Sequence, residues 1–348
     1  MANARLKKRK KKVRLTLAGK FVVGISVLAI VASVLTVTGL LLLNTQILSG
    51  GEKFSPIKTP GHIQDKVSTF LVLGISDDES ERESTALTDT ILLAQVDFEK
   101  EKVSILQIPR DTYVGGEVTP TGKINAIYNR SDKWDYHGLE GLTQKIHEMF
   151  QIEIDHYVTM KMDGFADIVD SIGGVPMDVP VDMELNGTVV KAGPQVLNGE
   201  QAIAVVRTRN VYSNQDLGRI ETQRAFLSAF ANQCLSLGPS QMVSLIPKCF
   251  ESVNTDLTAL EAVDYYKEVK DFDLSNVSIM TVPGVSTRHG DQDVYSVYPN
   301  HTAKMLNDYF RPYSDPVDAS QLQILALEEE PPLEDSDDGS NIGTLNQY

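Results

Sequence analysis

Cysteine is scarce in this chain of 348 residues, which contains only Cys234 and Cys249. This scarcity excludes a small disulfide-rich scaffold and a zinc site built from several thiolates. The two cysteines could form one bridge or remain two buried thiols, and neither belongs to a metal-binding spacing. The fold therefore depends on a hydrophobic core, and the chain is long enough to build a substantial one.

Acidic residues are absent from the first 43 positions, where nine Lys or Arg lie between Arg5 and Lys20. From Phe21 to Leu43 there is no charge of either sign, and this run is as long as the ~20 apolar residues that cross a bilayer. The apolar core of a cleaved signal peptide is usually shorter. The run predicts a transmembrane helix over residues 21–43 of a single-pass cell-membrane protein, with a basic cytoplasmic segment 1–20 and an extracellular C-terminal domain.

Basic residues become rare after this run. From Asn44 onward, 23 basic residues stand against 47 acidic residues, a net charge of −24. Affinity for nucleic acid rests on neutralising phosphates with Lys and Arg, so we expect no nucleic-acid partner for this part of the chain. The basic run 7–12 beside the predicted helix is explained by membrane orientation alone.

Composition also marks the domain boundaries. Segment 44–66 is polar and broken by Gly and Pro, which predicts an extracellular linker. Residues 67–312 form the predicted folded domain. Segment 313–348 is rich in acids and contains no basic residue, so we predict a disordered tail, with a spacer repelled by an anionic wall as the alternative.

Three apolar runs predict buried strands, at Phe70–Ile75, Ile91–Val96 and Val103–Ile108. Strands that are apolar on both faces need helices on both sides of the sheet. Helical periodicity predicts these helices at Leu139–Phe150, Gly164–Ile172, Gly199–Val206, Ile220–Leu237 and Leu260–Val269. The expected fold class is α/β, an α/β/α sandwich with a central mixed sheet, preceded by the transmembrane helix.

Arginine is concentrated in a domain that is otherwise short of positive charge. Within Val205–Arg209, the side chains of Arg207 and Arg209 would share one face if the stretch is extended. A planar guanidinium group can donate two parallel hydrogen bonds to one phosphate. This concentration of arginines therefore suits a diphosphate ligand.

A helical pattern begins at Asp216. Asp216, Arg219 and Gln223 then lie three and four residues apart, on one face near a helix N-terminus where backbone N–H groups favour an anion. Arg224 follows directly. The alternative is a surface cluster in which the arginines pair with Asp216 and Glu221.

Carboxylates occur in loops beside the predicted strands. Asp77 follows the first strand, Asp89 precedes the second, and Arg110 and Asp111 follow the third. In open α/β sheets, ligands bind beyond the carboxyl ends of strands. Oxygen ligands opposite guanidinium groups suit a magnesium-bound diphosphate.

The motifs that carry these residues stand in a recognisable order. Over roughly residues 67–231 they resemble the LytR-CpsA-Psr family, the membrane-anchored cell-wall polymer ligases of Gram-positive bacteria. The matching strings are Leu73-Gly74, Thr88-Asp89-Thr90, Ile108–Val114, Lys123–Ala126, Asp163-Gly164-Phe165, Gly173-Gly174-Val175, Leu197–Ala202, Val206–Arg209, Asp216–Arg219 and Gln223-Arg224.

The resemblance implies a phosphotransferase that moves a glycopolymer, such as teichoic acid or capsular polysaccharide, from a polyprenyl diphosphate carrier to peptidoglycan. The acceptor is usually the muramic acid 6-hydroxyl. The diphosphate ligands that it implies are Arg110, Arg207, Arg209, Arg219 and Gln223. The Mg²⁺ ligands that it implies are Asp89 and Asp77. The catalytic residues that it implies are Arg110, Asp111, Asp216 and Arg219, with the two carboxylates orienting arginine or assisting the metal.

The resemblance also implies an apolar tunnel for the prenyl chain, between the sheet and the helices. Phe165, Ile168 and Val169, or Phe226 and Phe230, could line it. For each of these residues, a place in the ordinary core is the alternative.

Two departures from the family pattern bear on activity. Ser76 stands where the family usually has Asp, with Asp77 next to it. Leu87 stands where the family usually has Arg, with Arg82 nearby. Two alternatives to the transferase are therefore a non-catalytic regulator or attenuator that binds the lipid diphosphate, and a hydrolase in which water replaces the acceptor hydroxyl. A transcriptional role conflicts with the predicted topology.

Overall fold

The computed structural model describes residues 66–76, 87–129, 135–208, 211, 216–333 and 342–344. The strands in this part of the chain are β1 (Val67–Ser76), β2 (Leu87–Asp97), β3 (Lys102–Gln107), β4 (His156–Lys161), β5 (Val175–Val179), β6 (Met183–Leu185), β7 (Thr188–Val190), β8 (Gly193–Leu197), β9 (Val253–Thr255), β10 (Val277–Thr281), β11 (Gly284–His289), β12 (Gln292–Val297) and β13 (Gly343–Thr344). The helices are α1 (Gly138–Phe150), α2 (Met162–Ser171), α3 (Gly199–Arg207), α4 (Asp216–Ser236), α5 (Pro239–Cys249), α6 (Ala259–Val269) and α7 (Pro299–Tyr309).

Seven strands form one mixed sheet, in the order β13-β10-β3-β2-β1-β4-β9. β2 is antiparallel to β1 and β3, whereas β4 is parallel to β1 and β10 is parallel to β3. β1, β3, β4 and β10 therefore run in one direction, and their carboxyl ends lie at the same end of the sheet. The prediction of a central mixed sheet is confirmed.

Alternation along the central strands places apolar side chains on both faces of the sheet. Leu71, Leu93 and Leu106 are fully buried on one face, in a core shared with α1 and α7. On the other face Ile279 is buried against Leu227 of α4. Burying one such side chain stabilises the fold by ~1.5–3 kcal/mol. Helices thus cover both faces, as predicted.

A second core lies between α2, α3, α4 and the short strand pairs β5/β8 and β6/β7. Val169 is fully buried there, and the ring of Phe226 lies 5.7 Å from that of Phe165 and 6.2 Å from that of Phe230, between centroids. This contact pattern is that of an ordinary core. A prenyl tunnel along these side chains stays a prediction.

The five predicted helices are confirmed to within a few residues, whereas α5 and α7 are missing from the sequence prediction. α5 begins with Pro239 and contains Pro247, and α7 begins with Pro299. Proline is well tolerated in the first turn of a helix. In sequence patterns, however, it indicates a break.

The segment that follows Pro312 corrects the predicted tail. Val317 and Leu322 are buried in the first core, and the Gln323 N–H donates to the Glu148 carbonyl at 3.0 Å. β13 adds a short pairing to β10. The prediction of disorder is wrong for residues 313–333, because apolar side chains between the acids give the segment something to bury.

Cys234 on α4 and Cys249 on α5 are both free thiols. Burial, with a contribution from Cys249, raises the pKa of Cys234 to about 11. Burial also raises the pKa of Cys249. Of the two alternatives for the cysteines, the structure has the pair of thiols.

Within the described ranges, no helix has the length and apolar character required to span a bilayer. Segment 1–20, the predicted transmembrane helix 21–43 and linker residues 44–65 lie outside those ranges. Their assignments stay predictions.

Candidate functional site

A cavity of about 210 Å³ opens where the carboxyl ends of β3, β4 and β10 meet the start of β2. Pockets for drug-sized ligands usually have volumes of ~300–1,000 Å³, so this cavity suits a head group rather than a whole lipid. Its lining residues are Asp89, Thr90, Ile91, Gln107, Ile108, Pro109, Arg110, Met162, Val206, Arg207, Gln223 and Thr281.

Asp89 reaches the cavity because β2 contains a bulge. Gly74 pairs with Thr90 and Ile75 pairs with Thr88, so Asp89 is one extra residue between the two pairs. In an unbroken register Asp89 would pair with Ile75 and point to the apolar face covered by α1 and α7. A bulge releases the extra residue from that alternation and redirects its side chain.

The neighbours of Asp89 fix the bulge. Thr88 is fully buried, and its hydroxyl donates to the Asn125 carbonyl at 3.4 Å. Gly74 allows the close approach of the strands, because a Cβ at this position would lie 3.0 Å from Thr90 Cβ. The Leu73-Gly74 and Thr88-Asp89-Thr90 strings therefore have a structural role in presenting one carboxylate.

Two arginines converge on this carboxylate. Arg110, in the loop after β3, donates from Nη1 to Asp89 Oδ1. Arg207 Nη2 lies 3.8 Å from Asp89 Oδ2. The Asp89 side chain is 15% exposed and that of Arg207 is 39% exposed. Among the described lining residues, two guanidinium groups thus face a single carboxylate, which leaves positive charge for an anionic ligand.

Arg207 is positioned by α3 rather than by an extended segment. The Asn198 side chain accepts from the Gln201 N–H at 2.9 Å, and the Gln201 side chain accepts from the Asn198 N–H at 3.0 Å, which forms a capping box at the start of the helix. Arg207 ends α3, and the extended backbone begins only at Thr208. The condition under which Arg207 and Arg209 would share one face, an extended stretch over Val205–Arg209, is therefore not met at Val205–Arg207.

Gln223 joins two sides of the cavity. Its Nε2 donates to the Val206 carbonyl at 2.8 Å, and its Oε1 accepts from Gln107 Nε2 at 3.1 Å. One amide thereby ties the last turn of α3 to the end of β3. This contact holds the backbone next to Arg207, and the place of Gln223 among the diphosphate ligands stays a prediction.

Asp111 lies between two cations. Its Oδ2 is 3.8 Å from Arg110 Nε, and its Oδ1 is 3.0 Å from Lys123 Nζ. Asp111 thus contacts both Arg110 and Lys123, and its role in orienting arginine stays a prediction. Lys123 has no role that its own sequence pattern predicts, although the Lys123–Ala126 string is one of those that carry the resemblance.

Arg224 differs from the other arginines of the predicted cluster. It is only 2% exposed, and its Nη2 donates to the Thr281 hydroxyl at 3.0 Å. Thr281 itself lines the cavity. Arg224 therefore lies behind the cavity wall and not at its surface.

Four predicted site residues have no described side chain. Asp77 and Arg209 lie outside the described ranges. α4 begins at Asp216 and includes Arg219, as the helical pattern predicts. The roles of all four side chains stay predictions.

The described residues contain no group of three or more His, Cys, Asp or Glu side chains that could enclose a metal ion. Mg²⁺ commonly binds one or two carboxylates and takes its remaining ligands from water and substrate phosphates. Asp89 Oδ2 is 3.8 Å from Arg207 Nη2, which is longer than a hydrogen bond, so this oxygen can accept another ligand. The donor set fits Mg²⁺ that is shared with a phosphate, and not a site closed by protein alone.

These features define an α/β protein with an arginine-lined anion cavity at the carboxyl ends of a mixed sheet. The model of the LytR_cpsA_psr family matches residues 45–311. The chain belongs to this family, and the identification from its motifs is confirmed.

The similar curated proteins include cell-wall enzymes. Over 266 residues the chain is 27% identical to the polyisoprenyl-teichoic acid–peptidoglycan teichoic acid transferase TagV of Bacillus subtilis, with 73% of this chain and 66% of TagV covered. Over 225 residues it is 29% identical to the cell wall biosynthesis protein LcpA of Corynebacterium glutamicum, with 57% and 43% covered. The match thus spans less than two thirds of the length of either relative.

Solved structures share the fold. The crystal structure of B. subtilis TagV has a TM-score of 0.60 at 26% identity, with 72% of this chain and 99% of that chain covered. The structure of TagT bound to LIIa-WTA has a TM-score of 0.56 at 21% identity, with 74% and 96% covered. The α/β fold class is therefore confirmed.

Proposed function

We propose that this protein is a membrane-anchored extracellular phosphotransferase, which attaches a teichoic acid or capsular polysaccharide from a polyprenyl diphosphate carrier to peptidoglycan. The observation that carries the proposal is the convergence of Arg110 and Arg207 on Asp89 in one cavity. Membership of the family and the transferase name of TagV support it.

The reaction exchanges one phosphorus–oxygen bond for another. The acceptor hydroxyl oxygen forms a bond to the phosphorus that carries the glycopolymer, and the diphosphate P–O bond to the lipid phosphate breaks. The products are a phosphodiester, a polyprenyl monophosphate and one released proton. Negative charge grows on the leaving phosphate, so fixed guanidinium groups lower the barrier when they are already in place.

The residues of the cavity divide this work. Arg110 and Arg207 bind the diphosphate oxygens. Arg219, near the start of α4, and Arg209, in the segment before α4, complete the set of arginines. Gln223 holds the Arg207 backbone in place. Asp89 contacts both guanidinium groups and presents an oxygen ligand for Mg²⁺, with Asp77 as the second. When bound, Mg²⁺ would neutralise charge on the phosphate oxygens.

A binding protein that retains the lipid diphosphate without turnover is the second candidate. Ser76 and Leu87 favour it, since they replace an Asp and an Arg that the family usually has at the ends of these strands. Ser76 and Leu87 pair directly across β1 and β2. Restoring Asp and Arg at these positions would raise activity if their absence limits the enzyme.

A transfer assay tests the proposal on the full-length protein, with a polyprenyl diphosphate-linked oligosaccharide, peptidoglycan glycan strands and Mg²⁺. We expect a phosphodiester product that disappears with a chelator and in Arg219→Ala, while Lys267→Ala, an exposed cation on α6, keeps its activity. Lipid binding without product would favour the regulator. Release of lipid phosphate without transfer would indicate a hydrolase.

Membrane topology has its own test. We propose residues 21–43 as the anchor, with the N-terminus in the cytoplasm. A periplasm- or surface-active reporter fused after Tyr348 should be active, and a cytoplasm-specific reporter at the same position should be silent. The opposite result would contradict an extracellular enzyme.

A further inference from the structure

An aromatic pair formed by half-buried Tyr113 and exposed His289 lies beside the donor cavity and has no part in the proposed donor binding. The Tyr113 hydroxyl is 3.3 Å from His289 Nε2. The two ring centroids are 4.9 Å apart, with planes inclined at 52°. Tyr113 follows Arg110 in the loop after β3, and His289 ends β11.

Backbone hydrogen bonds fix the position of Tyr113 relative to the cavity. The Tyr295 N–H of β12 donates to the Asp111 carbonyl at 2.8 Å, and the Tyr113 N–H donates to the Tyr295 carbonyl at 2.9 Å. The Tyr113 backbone also pairs with that of Lys123 in an isolated antiparallel β-bridge. Three residues span at most ~10 Å, so the Tyr113 backbone, which carries one ring of the pair, lies within that distance of the Arg110 backbone.

The Tyr113 ring is held rigidly. Gly122 has φ +68°, and a Cβ there would lie 2.6 Å from Tyr113 Cε2. The ring thus rests on a glycine backbone on one side and contacts His289 on another. A side chain that is already ordered loses little entropy when a ligand binds.

An ion pair lies beside Tyr113: Asp111 is two residues before it, and Lys123 pairs with it in an isolated β-bridge. Asp111 is 37% exposed and offers acceptor oxygens, and Lys123 Nζ, 3.0 Å away, offers donors. Sugars present C–H faces that stack on aromatic rings and hydroxyls that need both donors and acceptors at the ring edge. A rigid aromatic platform beside an ion pair meets both requirements.

We propose that Tyr113 and His289, with Asp111 and Lys123 between them and the cavity, form the docking surface for the acceptor glycan strand. This inference rests on the proposed function, which requires a second substrate whose hydroxyl reaches the diphosphate. Asp111 directly follows the cavity residue Arg110, so a glycan strand bound along this surface would bring its hydroxyls close to the phosphate. It binds the acceptor and leaves the lipid donor to the arginines.

Kinetics with separate variation of the two substrates test the inference on the full-length protein. In Tyr113→Ala and His289→Ala we expect KM for soluble peptidoglycan glycan strands to rise about tenfold, a loss of ~1.4 kcal/mol, with donor KM within about twofold of wild type. Tyr113→Phe should stay close to wild type, because it keeps the ring. Tyr266→Ala on α6 is the matched control. A fall in kcat at unchanged acceptor KM would overturn the inference.

Direct binding separates this inference from the transferase proposal. Titration of the same glycan strands into the protein, without donor, should show binding that Tyr113→Ala weakens and Tyr266→Ala does not. Such binding would support the docking surface even if no transfer product forms. Transfer with equal glycan affinity in Tyr113→Ala and wild type would overturn the docking surface and leave the transferase standing.

Discussion

Glu330 caps the N-terminus of α7 and also contacts the His301 side chain. The Glu330 carboxylate accepts from the backbone N–H groups of Asn300 and His301 at 3.0 and 3.4 Å, and it lies 3.2 Å from His301 Nδ1. The first N–H groups of a helix have no partner within the helix. An acid from the C-terminal segment therefore stabilises α7 and holds that segment against the domain.

We expect Glu330→Gln to lower the free energy of unfolding by ~1 kcal/mol at pH 7, since it removes a charge from a helix N-terminus. Burial alone would raise the pKa of Glu330, but hydrogen bonds from Asn300 and His301 hold it below its usual value. The contribution is therefore complete above the unfolded pKa of ~4.3 and is lost as pH falls through the lower folded pKa. Denaturant titrations at several pH values measure it.

The adjacent Glu329 provides the control for this measurement. Glu329 is exposed, so Glu329→Gln should leave stability unchanged within ~0.5 kcal/mol. Equal stability of Glu330→Gln and wild type at pH 7 would contradict the stabilising contact.

Asp89→Asn should abolish transfer while the protein remains folded. The carboxylate faces the cavity, and removing one preorganised charged group commonly costs ~10²-fold or more in rate. Transfer rate and melting temperature, measured beside Asp182→Asn on an exposed loop, give the comparison. A large loss of stability in Asp89→Asn alone would assign Asp89 a structural role.

Arg224 and Arg207 should respond differently to removal. Arg224→Met leaves the Thr281 hydroxyl without its buried partner and should destabilise the fold by ~1–3 kcal/mol. Arg207→Ala removes a half-exposed side chain and should change stability little while it weakens diphosphate binding. Denaturation curves and lipid-diphosphate titrations on both variants distinguish the two. A reversed pattern would place Arg224 in the site.

Gly74→Ala tests the packing of the bulge. The added methyl would lie 3.0 Å from Thr90 Cβ, so one of the strands must shift by a few tenths of an ångström. Overpacking of this kind costs ~1–3 kcal/mol, and the displaced carboxylate should lower the transfer rate. Thermal melts and rates, beside Gly116→Ala where a Cβ meets nothing within 4 Å, measure both effects. Wild-type rates in Gly74→Ala would show that the position of Asp89 tolerates the shift.

The two cysteines should titrate as free thiols. In denaturant, Ellman's reagent should report two thiols per chain. In the native protein Cys234 should react slowly at pH 8, because burial raises its pKa to about 11 and the thiolate is the reactive form. Absence of free thiols in denaturant would indicate a bridge.

Local patterns predicted much of the fold. The three apolar runs became β1, β2 and β3, and apolar periodicity located five helices, because burial of one face decides these elements. The segment after Pro312 shows that composition alone does not predict whether a segment is ordered. Its acids predicted disorder, yet Val317 and Leu322 are buried in the first core, since a few well-placed apolar side chains outweigh net charge when a surface is available.

The site depended on contacts that no local pattern contains. Asp89 was found as a loop carboxylate, but its bulge is a property of the register between β1 and β2. Arg224 belongs to the arginine cluster by its position in the sequence, but it is buried, because the direction of a side chain follows from helix packing and not from spacing. Lys123 was missed because its partner Asp111 lies twelve positions earlier, joined to it through a turn.

The bulge in β2 makes the site sensitive to a single deletion. If one residue were lost at position 89, Thr88 and Thr90 would follow each other in unbroken pairing with Ile75 and Gly74, and every hydrogen bond of the sheet could form. The arginines would then face one another without the carboxylate between them. Deletion of this single residue would remove the ligand site and keep the strand pairing, so loss of function within this fold needs no loss of stability.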